Sequence, residues 1–378
     1  MHTGQLKSPQ GQSQPTVLAV RTGRVGCITL NRPQALNALS LEMVRALFQT
    51  LLAWREDPDV LAVAIRGHSR AGPFGQFCAG GDIRFFHAAA TAGDPRLEDF
   101  FTEEYRLNHL VQTYPKPYIA FMDGVVMGGG MGLSQGASIR VVTPRTRMAM
   151  PEVGIGLFPD VGGGFFLSRC PGLVGEWLAL TGQSIEAGDA VAWGLADGCI
   201  DPVRLPSIWE GLLTTPFESG HAVEQWVSDK FMAALPTLKA HQPQIQAWFA
   251  PGDLCAIRDR LGADDSAFAQ ATLQSMNKGS PLMQAVALEQ IRRARTMSLA
   301  DALRMERDLV RRAFHPVHLG RPAVESEPVE GIRALVIDKD HHPRWAPEQA
   351  AEVSRDMVLP FFDSPWPAEQ HPLRDLGR

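Results

Sequence analysis

Long apolar runs are absent from this chain of 378 residues. No segment approaches the roughly 18 consecutive apolar residues that a membrane-spanning helix requires, so we expect no membrane partner. The formal net charge is −5, with 36 basic and 41 acidic side chains. This balance argues against a broad nucleic-acid-binding surface, although a local basic patch could still bind a phosphorylated ligand.

Cysteine is scarce and scattered. The five cysteines are odd in number and form no CxxC pair, which argues against both a disulfide framework and a zinc site. This usage fits a reducing compartment, and we expect a cytoplasmic location. Residues 1–15 have neither the apolar core of a secretory signal nor the arginines of a transit peptide, and we expect them to form a disordered leader.

Several motifs that bind cofactors or metals are also missing. The sequence contains no GxxxxGK[ST] and no HExxH, and its glycine-rich stretches do not complete GxGxxG. His315 and His318 flank Pro316, which is a poor frame for helical metal ligation, and His341 and His342 are typical of a solvated turn. We therefore predict no metal site.

Strand and helix patterns alternate over the first two hundred residues. Two apolar runs within residues 16–30 predict a hairpin, and Ser40 with Glu42 predicts the start of a helix. The strand LAVAIRG, a helix near 98–113, the strand PYIAFMDG, a helix from about Gly130 and the strand SIRVVT follow. This order predicts an α/β fold with crossover connections.

The pattern becomes mostly helical between about residues 205 and 225. Only GIRALVID, at 331–338, looks like a strand in the second part, and the proline-rich tail after Pro360 is expected to be poorly ordered. We therefore divide the chain into a catalytic core over 16–215 and a mostly helical C-terminal region over 216–378.

Two glycine-rich stretches follow predicted strands, namely FCAGGDIR at 77–84 and MGGGMGLSQG at 127–136. Glycine allows the backbone to turn tightly and lets a ligand approach its N–H groups. Two such turns on neighbouring strands could direct two N–H groups at one oxygen, as an oxyanion hole requires. Close packing of a helix on a strand would favour the same glycines, and both readings stay open.

Two possible nucleophiles lie in these stretches. GLSQG matches the G-x-S-x-G nucleophile elbow, but its turn comes before Ser134, which favours a helix-packing serine. Cys78 stands beside the glycines, where a small buried thiol is the usual role.

The stretch PEVGIGLFPDVGGG, at 151–164, places Glu152 and Asp160 among glycine, proline and apolar residues. A buried charge without a partner destabilises the folded state by roughly several kcal/mol. The two carboxylates therefore either pair with a basic side chain, such as Arg147 or Arg169, or face a cleft where chemistry needs them.

Taken together, several strings resemble the enoyl-CoA hydratase/isomerase (crotonase) superfamily. They are TLNRPQALNALS, FCAGGDIR, EEYRLN, KPYIAFMDGVVMGGGMGLS, MPEVGIGLFPDVGGG, LALTG and EGIRALVIDKDHHPRW. The resemblance implies a crotonase-like core of repeated ββα units with a helical C-terminal region. EGIRALVIDKD points to the branch that hydrolyses short 3-hydroxyacyl-CoA thioesters.

The resemblance also implies a binding site for an acyl-CoA. Gly81 and Gly129 match the two backbone oxyanion donors of the family. Ala79 matches the residue whose carbonyl contacts the adenine, and Arg84 and Arg32 are candidates for contacts with the CoA phosphates. CoA would be part of the substrate, so no cofactor is implied.

The catalytic positions differ from those of a hydratase of this family. Glu152 matches one hydratase glutamate, whereas the second would fall at Gly132, which has no side chain. Asp160 stands where a hydratase typically has glycine. A carboxylate at this position is the hydrolase-like pattern. Glu104 matches a substrate-contacting position of the hydrolases, and a solvated helix face is its alternative.

These roles imply hydrolysis of a short 3-hydroxyacyl-CoA, in particular 3-hydroxyisobutyryl-CoA in valine degradation. Glu152 would be ionised at neutral pH if its pKa stayed near the ordinary value of about 4.3. It would act as a nucleophile or as a general base, while Asp160 would orient water or bind the substrate hydroxyl. The alternative is a hydratase or isomerase with an atypical carboxylate pair. The oligomeric state is left open, a homo-oligomer included.

Overall fold

The computed structural model describes residues 14–377. The leader expected over residues 1–15 therefore lies, apart from its last two residues, outside the described part of the chain. None of the described helices is long and apolar enough to cross a membrane.

The described strands form two sheets. Their bounds are β1 Val17–Arg21, β2 Val25–Leu30, β3 Ala62–Ser69, β4 Gly72–Pro73, β5 Tyr118–Met122, β6 Val125–Met127, β7 Ile139–Val142, β8 Arg147–Ala149 and β9 Gly198–Cys199. The larger sheet has the order β1-β2-β3-β5-β7-β9, with β4 paired to the end of β3. Apart from the antiparallel pairs β1–β2 and β3–β4, its neighbours are parallel. The smaller sheet is the parallel pair β6–β8.

Helices cover the sheets and dominate the second part of the chain. Their bounds in the first part are α1 Leu41–Glu56, α2 Ile83–Ala92, α3 Arg96–Gln112, α4 Gly129–Ser134, α5 Gly163–Leu167, α6 Val174–Thr181, α7 Ala187–Ala192 and α8 Leu205–Thr214. Those in the second part are α9 Gly220–Ser228, α10 Gln242–Trp248, α11 Leu254–Gly262, α12 Ala267–Met276, α13 Pro281–Ala294, α14 Leu299–Phe314, α15 Glu327–Ile332 and α16 Arg355–Val358.

Strands β2 and β5 of the larger sheet are buried along their whole length, which explains why they are almost continuously apolar. On β3, Val63 and Ile65 belong to the main core, whereas Ala62 and Ala64 belong to a second cluster. Helices α8 and α9 close this second cluster, with Trp209 among their buried side chains. The sheet therefore holds the loops at its strand ends on a rigid support.

The α/β class and the main elements of the first part are confirmed. The hairpin is β1–β2, and Ser40 caps α1 by accepting the N–H of Met43 at 3.3 Å. The strands predicted from LAVAIRG, PYIAFMDG and SIRVVT are β3, β5 and β7, and the helix expected near 98–113 is α3. The helix expected from about Gly130 begins one residue earlier, at Gly129.

The strand predicted over 331–338 is wrong. The segment is the end of α15 followed by a π-helical turn, Arg333–Ile337. Helix α15 packs on α2 and on the turn Glu152–Ile155. Ile332 and Ala334 are buried, whereas Leu335 and Ile337 are partly exposed. An apolar run of this length fits a strand or a helix equally well, and tertiary packing selected the helix.

The poorly ordered tail predicted after Pro360 is also wrong. Leu373 and Leu376 are buried, and the Arg304 guanidinium donates to the carbonyl oxygens of both. Arg106 forms an ion pair with Asp375 at 2.7 Å. The tail is thus fixed on α3 and α14 by side chains that lie far away in the sequence.

The C-terminal helices pack directly on the first part of the chain. Helix α13 contacts α5 and α6, and α14 contacts α3 and α5. The main core contains residues from both sides of residue 215. The division into a core and a C-terminal region stays a prediction, and the two parts share buried surface.

Candidate active site

A cavity of about 620 Å³ opens between α3, the two glycine turns, the segment after β8 and the C-terminal region. Six of the eight predicted site residues line it, namely Ala79, Gly81, Glu104, Gly129, Glu152 and Asp160. Residues far apart in the sequence are therefore brought together around one space.

The two glycine turns lie against each other at the ends of neighbouring strands. Cys78 pairs with Val126 of β6, and its N–H donates to the Val125 carbonyl at 3.0 Å. The Cys78 carbonyl packs on the Cα of Gly130, where a Cβ would collide with it. Gly80 has φ +107°, a left-handed conformation that L side chains rarely adopt. Both readings of these glycines, close packing and access to the backbone, are therefore compatible with the fold.

The N–H groups of Gly81 and Gly129 meet no acceptor within the described residues. Each belongs to a turn that lines the cavity. Two N–H groups without a protein acceptor beside one cavity could both donate to a ligand oxygen. This is the arrangement that an oxyanion hole requires, and the assignment of the two donors stays a prediction.

Two buried carboxylates lie beside the second glycine turn. A Cβ on Gly129 would stand 2.7 Å from Glu104 Oε1, and a Cβ on Gly128 would stand 2.7 Å from Glu152 Oε1. Glu104 is only 2% exposed, so the solvated helix face considered as its alternative is wrong. Glu104 Oε1 and Glu152 Oε2 have no hydrogen-bond partner among the described atoms. Both carboxylates are therefore free to act on a ligand.

Asp160 joins these carboxylates through a folded loop. After the turn Glu152–Ile155, the chain bends back, and the Leu157 N–H donates to the Glu152 carbonyl at 2.9 Å. The hydroxyl of Tyr105, on α3, donates to Asp160 Oδ2 at 2.8 Å. The loop thus places Glu152 and Asp160 at the same cavity although seven residues separate them.

The site accumulates negative charge away from water. Burial raises the pKa of Glu152 well above its ordinary value, and the charge of Asp160 raises it further. Burial and the same charge also raise the pKa of Glu104. Burial raises the pKa of Asp160 to about 6, although the hydrogen bond from Tyr105 acts to lower it. Asp160 is thus the carboxylate whose ionised form has a hydrogen-bond donor in place.

This electrostatic setting corrects the expectation that Glu152 is simply ionised at neutral pH. That expectation assumed an ordinary pKa, and burial beside a second carboxylate disfavours the charged form. Glu152 and Asp160 consequently titrate as a pair, and the first negative charge settles where the Tyr105 hydroxyl can stabilise it.

The salt bridge considered as an alternative role for this pair is wrong. Arg147 forms its ion pair with Glu186 at 3.0 Å. Arg169 donates to the carbonyl oxygens of Phe165 and Met297. Neither guanidinium neutralises Glu152 or Asp160, so the carboxylates face the cavity.

The space at Gly132 explains why the second hydratase glutamate has no equivalent. A Cβ at this position would lie 2.7 Å from the Val161 Cβ and 2.8 Å from Asn108 Nδ2. Real Cβ contacts are essentially never this short. A glutamate at this position would require α3 or the loop at Val161 to move.

Ser134 and Cys78 are structural residues. Ser134 is fully buried in α4, and its hydroxyl donates to the Gly130 carbonyl at 2.9 Å. Burial raises the pKa of the Cys78 thiol to about 12, so the nucleophilic thiolate is not populated at neutral pH.

The two arginines predicted to bind CoA phosphates do not line the cavity. Arg32 is paired with Asp82 at 2.7 Å and also donates to the Ala38 carbonyl, which fixes the first glycine turn. Arg84 is exposed in the first turn of α2. Lys278 and His341 are instead the basic side chains among the lining residues. They are exposed at the mouth, and no motif had singled out Lys278.

Of the other histidines singled out in the sequence, His315, His318 and His342 do not line the cavity. His315 contacts Glu98 at 3.4 Å, and the His318 ring packs edge-on against Phe361. His341 and His342 are exposed, as expected of a solvated turn. Among residues 14–377, no three His, Cys, Asp or Glu side chains are grouped as metal ligands.

Sequence reasoning missed Tyr105 and Glu306 as members of the site. Tyr105 lies inside EEYRLN, but its helical position could not reveal that its hydroxyl reaches Asp160. Glu306, on α14, accepts N–H groups from the loop that follows Asp160. An acidic residue within a strongly apolar helix face was the available signal.

Comparison with known proteins places this architecture in one family. The family described as Enoyl-CoA hydratase/isomerase matches this chain over residues 25–362. The 3-hydroxyisobutyryl-CoA hydrolase, mitochondrial, of Gallus gallus is 38% identical over 354 residues, covering 92% of this chain and 88% of that protein. The protein of the same name in Xenopus tropicalis is 39% identical over 353 residues, with the same shares covered.

A solved structure has the same fold over nearly the whole chain. The crystal structure of a carnitinyl-CoA dehydratase from Mycobacterium thermoresistibile aligns with a TM-score of 0.84 at 35% identity, covering 96% of this chain and 99% of that one. This chain is thus similar both to proteins named hydrolases and to a protein named a dehydratase. Both the sequence match and the fold show that this chain belongs to the enoyl-CoA hydratase/isomerase family.

Proposed function

We propose that this protein hydrolyses a short 3-hydroxyacyl-CoA thioester, 3-hydroxyisobutyryl-CoA in particular, to the 3-hydroxy acid and CoA. Relatives with this activity in their names match over most of the chain. The observation that carries the proposal is one cavity lined by Gly81 and Gly129, whose N–H groups have no acceptor among the described residues, and by three buried carboxylates.

The glycine turns supply the electrophilic half of this reaction. The thioester carbonyl oxygen would accept hydrogen bonds from the N–H groups of Gly81 and Gly129. These bonds strengthen as negative charge develops on the oxygen, which lowers the barrier to attack at the carbonyl carbon. The backbone donors are fixed by the two turns and need no reorganisation during the reaction.

The carboxylates supply the nucleophilic half. Because the pKa of Glu152 is raised, its ionised form is a minor population that grows as the pH rises. In that form Glu152 attacks the carbonyl carbon, the C–S bond breaks, and the CoA thiolate leaves and takes up a proton. Water then attacks the resulting anhydride and loses a proton to Asp160, which releases the acid and restores Glu152. In the alternative route, Glu152 takes the proton from a water molecule that attacks the thioester directly.

A trapping experiment distinguishes these two routes. If Asp160 activates the water that cleaves an anhydride, Asp160→Asn should accumulate an acylated protein whose mass exceeds that of the free chain by one acyl group. Glu152→Gln should never show this adduct. An Asp160→Asn protein that stays unmodified at saturating substrate favours the general-base route.

Glu104 is proposed to contact the acyl end of the substrate. Its Oε1 lies beside the second glycine turn without a protein partner. Burial favours its protonated form, in which it can donate a hydrogen bond to the substrate hydroxyl. This role would select a hydroxylated acyl group over a purely aliphatic one.

Hydration of an enoyl-CoA is the second candidate, since the solved neighbour is named a dehydratase. It is less well supported because no side chain fits at Gly132, where the second glutamate would stand. The two reactions leave different products. Hydrolysis releases the CoA thiol, whereas hydration and dehydration keep the thioester intact.

We further propose that no metal or redox cofactor takes part, because hydrolysis transfers no electrons and the carboxylates provide the acid–base groups. A role in valine degradation belongs to the same proposal. The expected cytoplasmic location also stays a prediction, and the relatives named above are mitochondrial by name.

A thiol-release assay over a panel of short acyl-CoAs tests the proposal. The purified protein should release CoA from 3-hydroxyisobutyryl-CoA and 3-hydroxypropionyl-CoA faster than from isobutyryl-CoA, with and without EDTA. Thioesters that are hydrated or dehydrated without thiol release would overturn the proposed function in favour of the second candidate.

A further inference from the structure

The loop that carries Asp160 has an unusual backbone conformation. Val161, directly after Asp160, has φ +54°. A β-branched side chain in the left-handed region is a genuine outlier, and such conformations persist only where the surroundings hold them. Its side chain lines the cavity and packs against Gly132. Something must therefore hold this turn in place.

A buried carboxylate on α14 contacts the turn from the side away from the cavity. Glu306 is 0% exposed. Its Oε2 accepts the Gly162 N–H at 2.7 Å, and its Oε1 accepts the Gly164 N–H at 3.0 Å. One carboxylate thus accepts two of the three N–H groups of the glycine run that follows Val161, and the third, that of Gly163, donates to the Asp160 carbonyl at 2.6 Å.

A second polar side chain, on α13, completes this contact. Gln290 Nε2 donates to Glu306 Oε1 at 3.1 Å and to the Pro159 carbonyl at 2.7 Å. Gln290 is also 0% exposed. The pair therefore attaches to the backbone on both sides of Asp160, at Pro159 and at Gly162.

The glycines of this loop fit the same arrangement. Gly162 has φ +88°. A Cβ on Gly164 would lie 3.0 Å from Gln290 Nε2 and 3.2 Å from Glu306 Oε1, tighter than ordinary contacts. Gly164 therefore leaves room for Gln290 and Glu306, and Gly162 allows the backbone conformation of the turn.

We propose that Glu306, supported by Gln290, is a positioning residue that holds Asp160 toward the cavity by fixing the left-handed turn at Val161. This inference rests on the proposed function for its catalytic consequence. The C-terminal helices would then be part of the catalytic machinery rather than a cover over the core.

The charge of Glu306 also acts on the site. The titratable groups around it are Tyr105 on α3 and Glu152 and Asp160 on the cavity loop. Ionised Glu306 raises the pKa of Glu152, and burial raises the pKa of Glu306 itself to about 8. Glu306 therefore carries its charge only as the pH rises through about 8, and Glu306→Gln removes no charge from the site at lower pH.

Glu306→Gln is the decisive variant. It keeps the size of the side chain but points an amide N–H at one of the loop N–H donors, which breaks one of the two anchors. We expect kcat to fall at least about 10-fold, since misplacing a catalytic group is costly. KM should stay within about threefold. The acidic limb of the pH profile, near pH 6, should stay in place, because Glu306 is already neutral there.

Asp189→Asn is the matched control. Asp189 is another fully buried carboxylate that accepts backbone N–H groups, those of Thr237, Leu238 and Lys239. It does not line the cavity. A similar loss of thermal stability is expected, with kcat and the pH profile unchanged. If Asp189→Asn lowers kcat as much as Glu306→Gln, the effect is general destabilisation and the proposal is overturned.

Gln290→Met provides a second test should Glu306→Gln not fold. It removes the donor to Pro159 without changing charge, and we expect a smaller fall in kcat with an unmoved pH profile. A Gln290→Met protein with the kcat of the unmodified chain would contradict the proposal.

A crystal structure of Glu306→Gln separates this inference from the proposed function. We expect Val161 to leave the positive-φ region and the hydrogen bond between Tyr105 and Asp160 to be lost. An unchanged loop refutes the positioning role whatever the reaction is. An unmodified protein that never releases CoA refutes the proposed function and leaves this structural test in force.

Discussion

Replacement of Asp160 by asparagine separates catalysis from stability at one residue. Asn keeps the size of the side chain and an oxygen that can accept the Tyr105 hydroxyl, which now donates to Asp160 Oδ2 at 2.8 Å. It cannot take a proton from water. We expect kcat to fall by about 10²-fold or more, the scale of a lost acid–base group. KM should change little, because Asp160 is proposed to act on water and not on the nucleotide of the substrate.

The same substitution should stabilise the fold at alkaline pH. Burial raises the pKa of Asp160 from 3.8 to about 6, so the charged form is disfavoured in the folded chain. A raised pKa contributes stability below about pH 4 that is lost as the pH rises through about 6. The rise in pKa corresponds to about 3 kcal/mol, which asparagine avoids. For a chain of this length we expect Tm to increase by about 4 °C at pH 8.

Thermal unfolding at pH 8 and at about pH 4, together with steady-state kinetics at both low and ambient temperature, provides the check. The stabilisation should be present at pH 8 and absent near pH 4. An Asp160→Asn protein with a lower Tm and a normal kcat would show that the carboxylate is structural, and it would remove Asp160 from the mechanism.

Three further predictions concern the rest of the site. The value of kcat/KM should fall as the pH drops through about 6, because burial raises the pKa of Asp160 to that value and the residue becomes protonated; a profile flat down to about pH 5 would contradict this. Gly129→Pro removes one N–H and brings a Cβ toward Glu104 Oε1, so kcat should fall at least about 10²-fold, and retained turnover would exclude Gly129 as an oxyanion donor. Ser134→Ala should keep most activity, since its hydroxyl bonds only within α4; a folded but inactive variant would restore the nucleophile-elbow reading.

The glycine turns and the carboxylate pair could be predicted from the sequence because each lies within a short, recognisable stretch of residues. Gly81 and Gly129 stand in short stretches that follow strands, and Glu152 and Asp160 stand out in an apolar segment. The strands themselves were predictable, since burial on both faces leaves continuous apolar runs.

What the sequence could not show was set by tertiary contacts. Arg32 is paired with Asp82 at 2.7 Å, and no local pattern reveals such a pairing; its contact with a CoA phosphate stays a prediction. The segment 331–338 is helical because it packs on α2 and lines the cavity. The pKa of Glu152 depends on burial beside Asp160, which a residue list does not contain.

The proposed function depends most on which bond of the substrate the protein breaks. The most direct test is a single incubation of the protein with 3-hydroxyisobutyryl-CoA, in which free thiol and products are quantified together by a thiol reagent and mass spectrometry. We predict one CoA thiol and one 3-hydroxyisobutyrate for each thioester consumed, and loss of both in Glu152→Gln. An intact thioester that has only lost water, with no free thiol, would contradict the account.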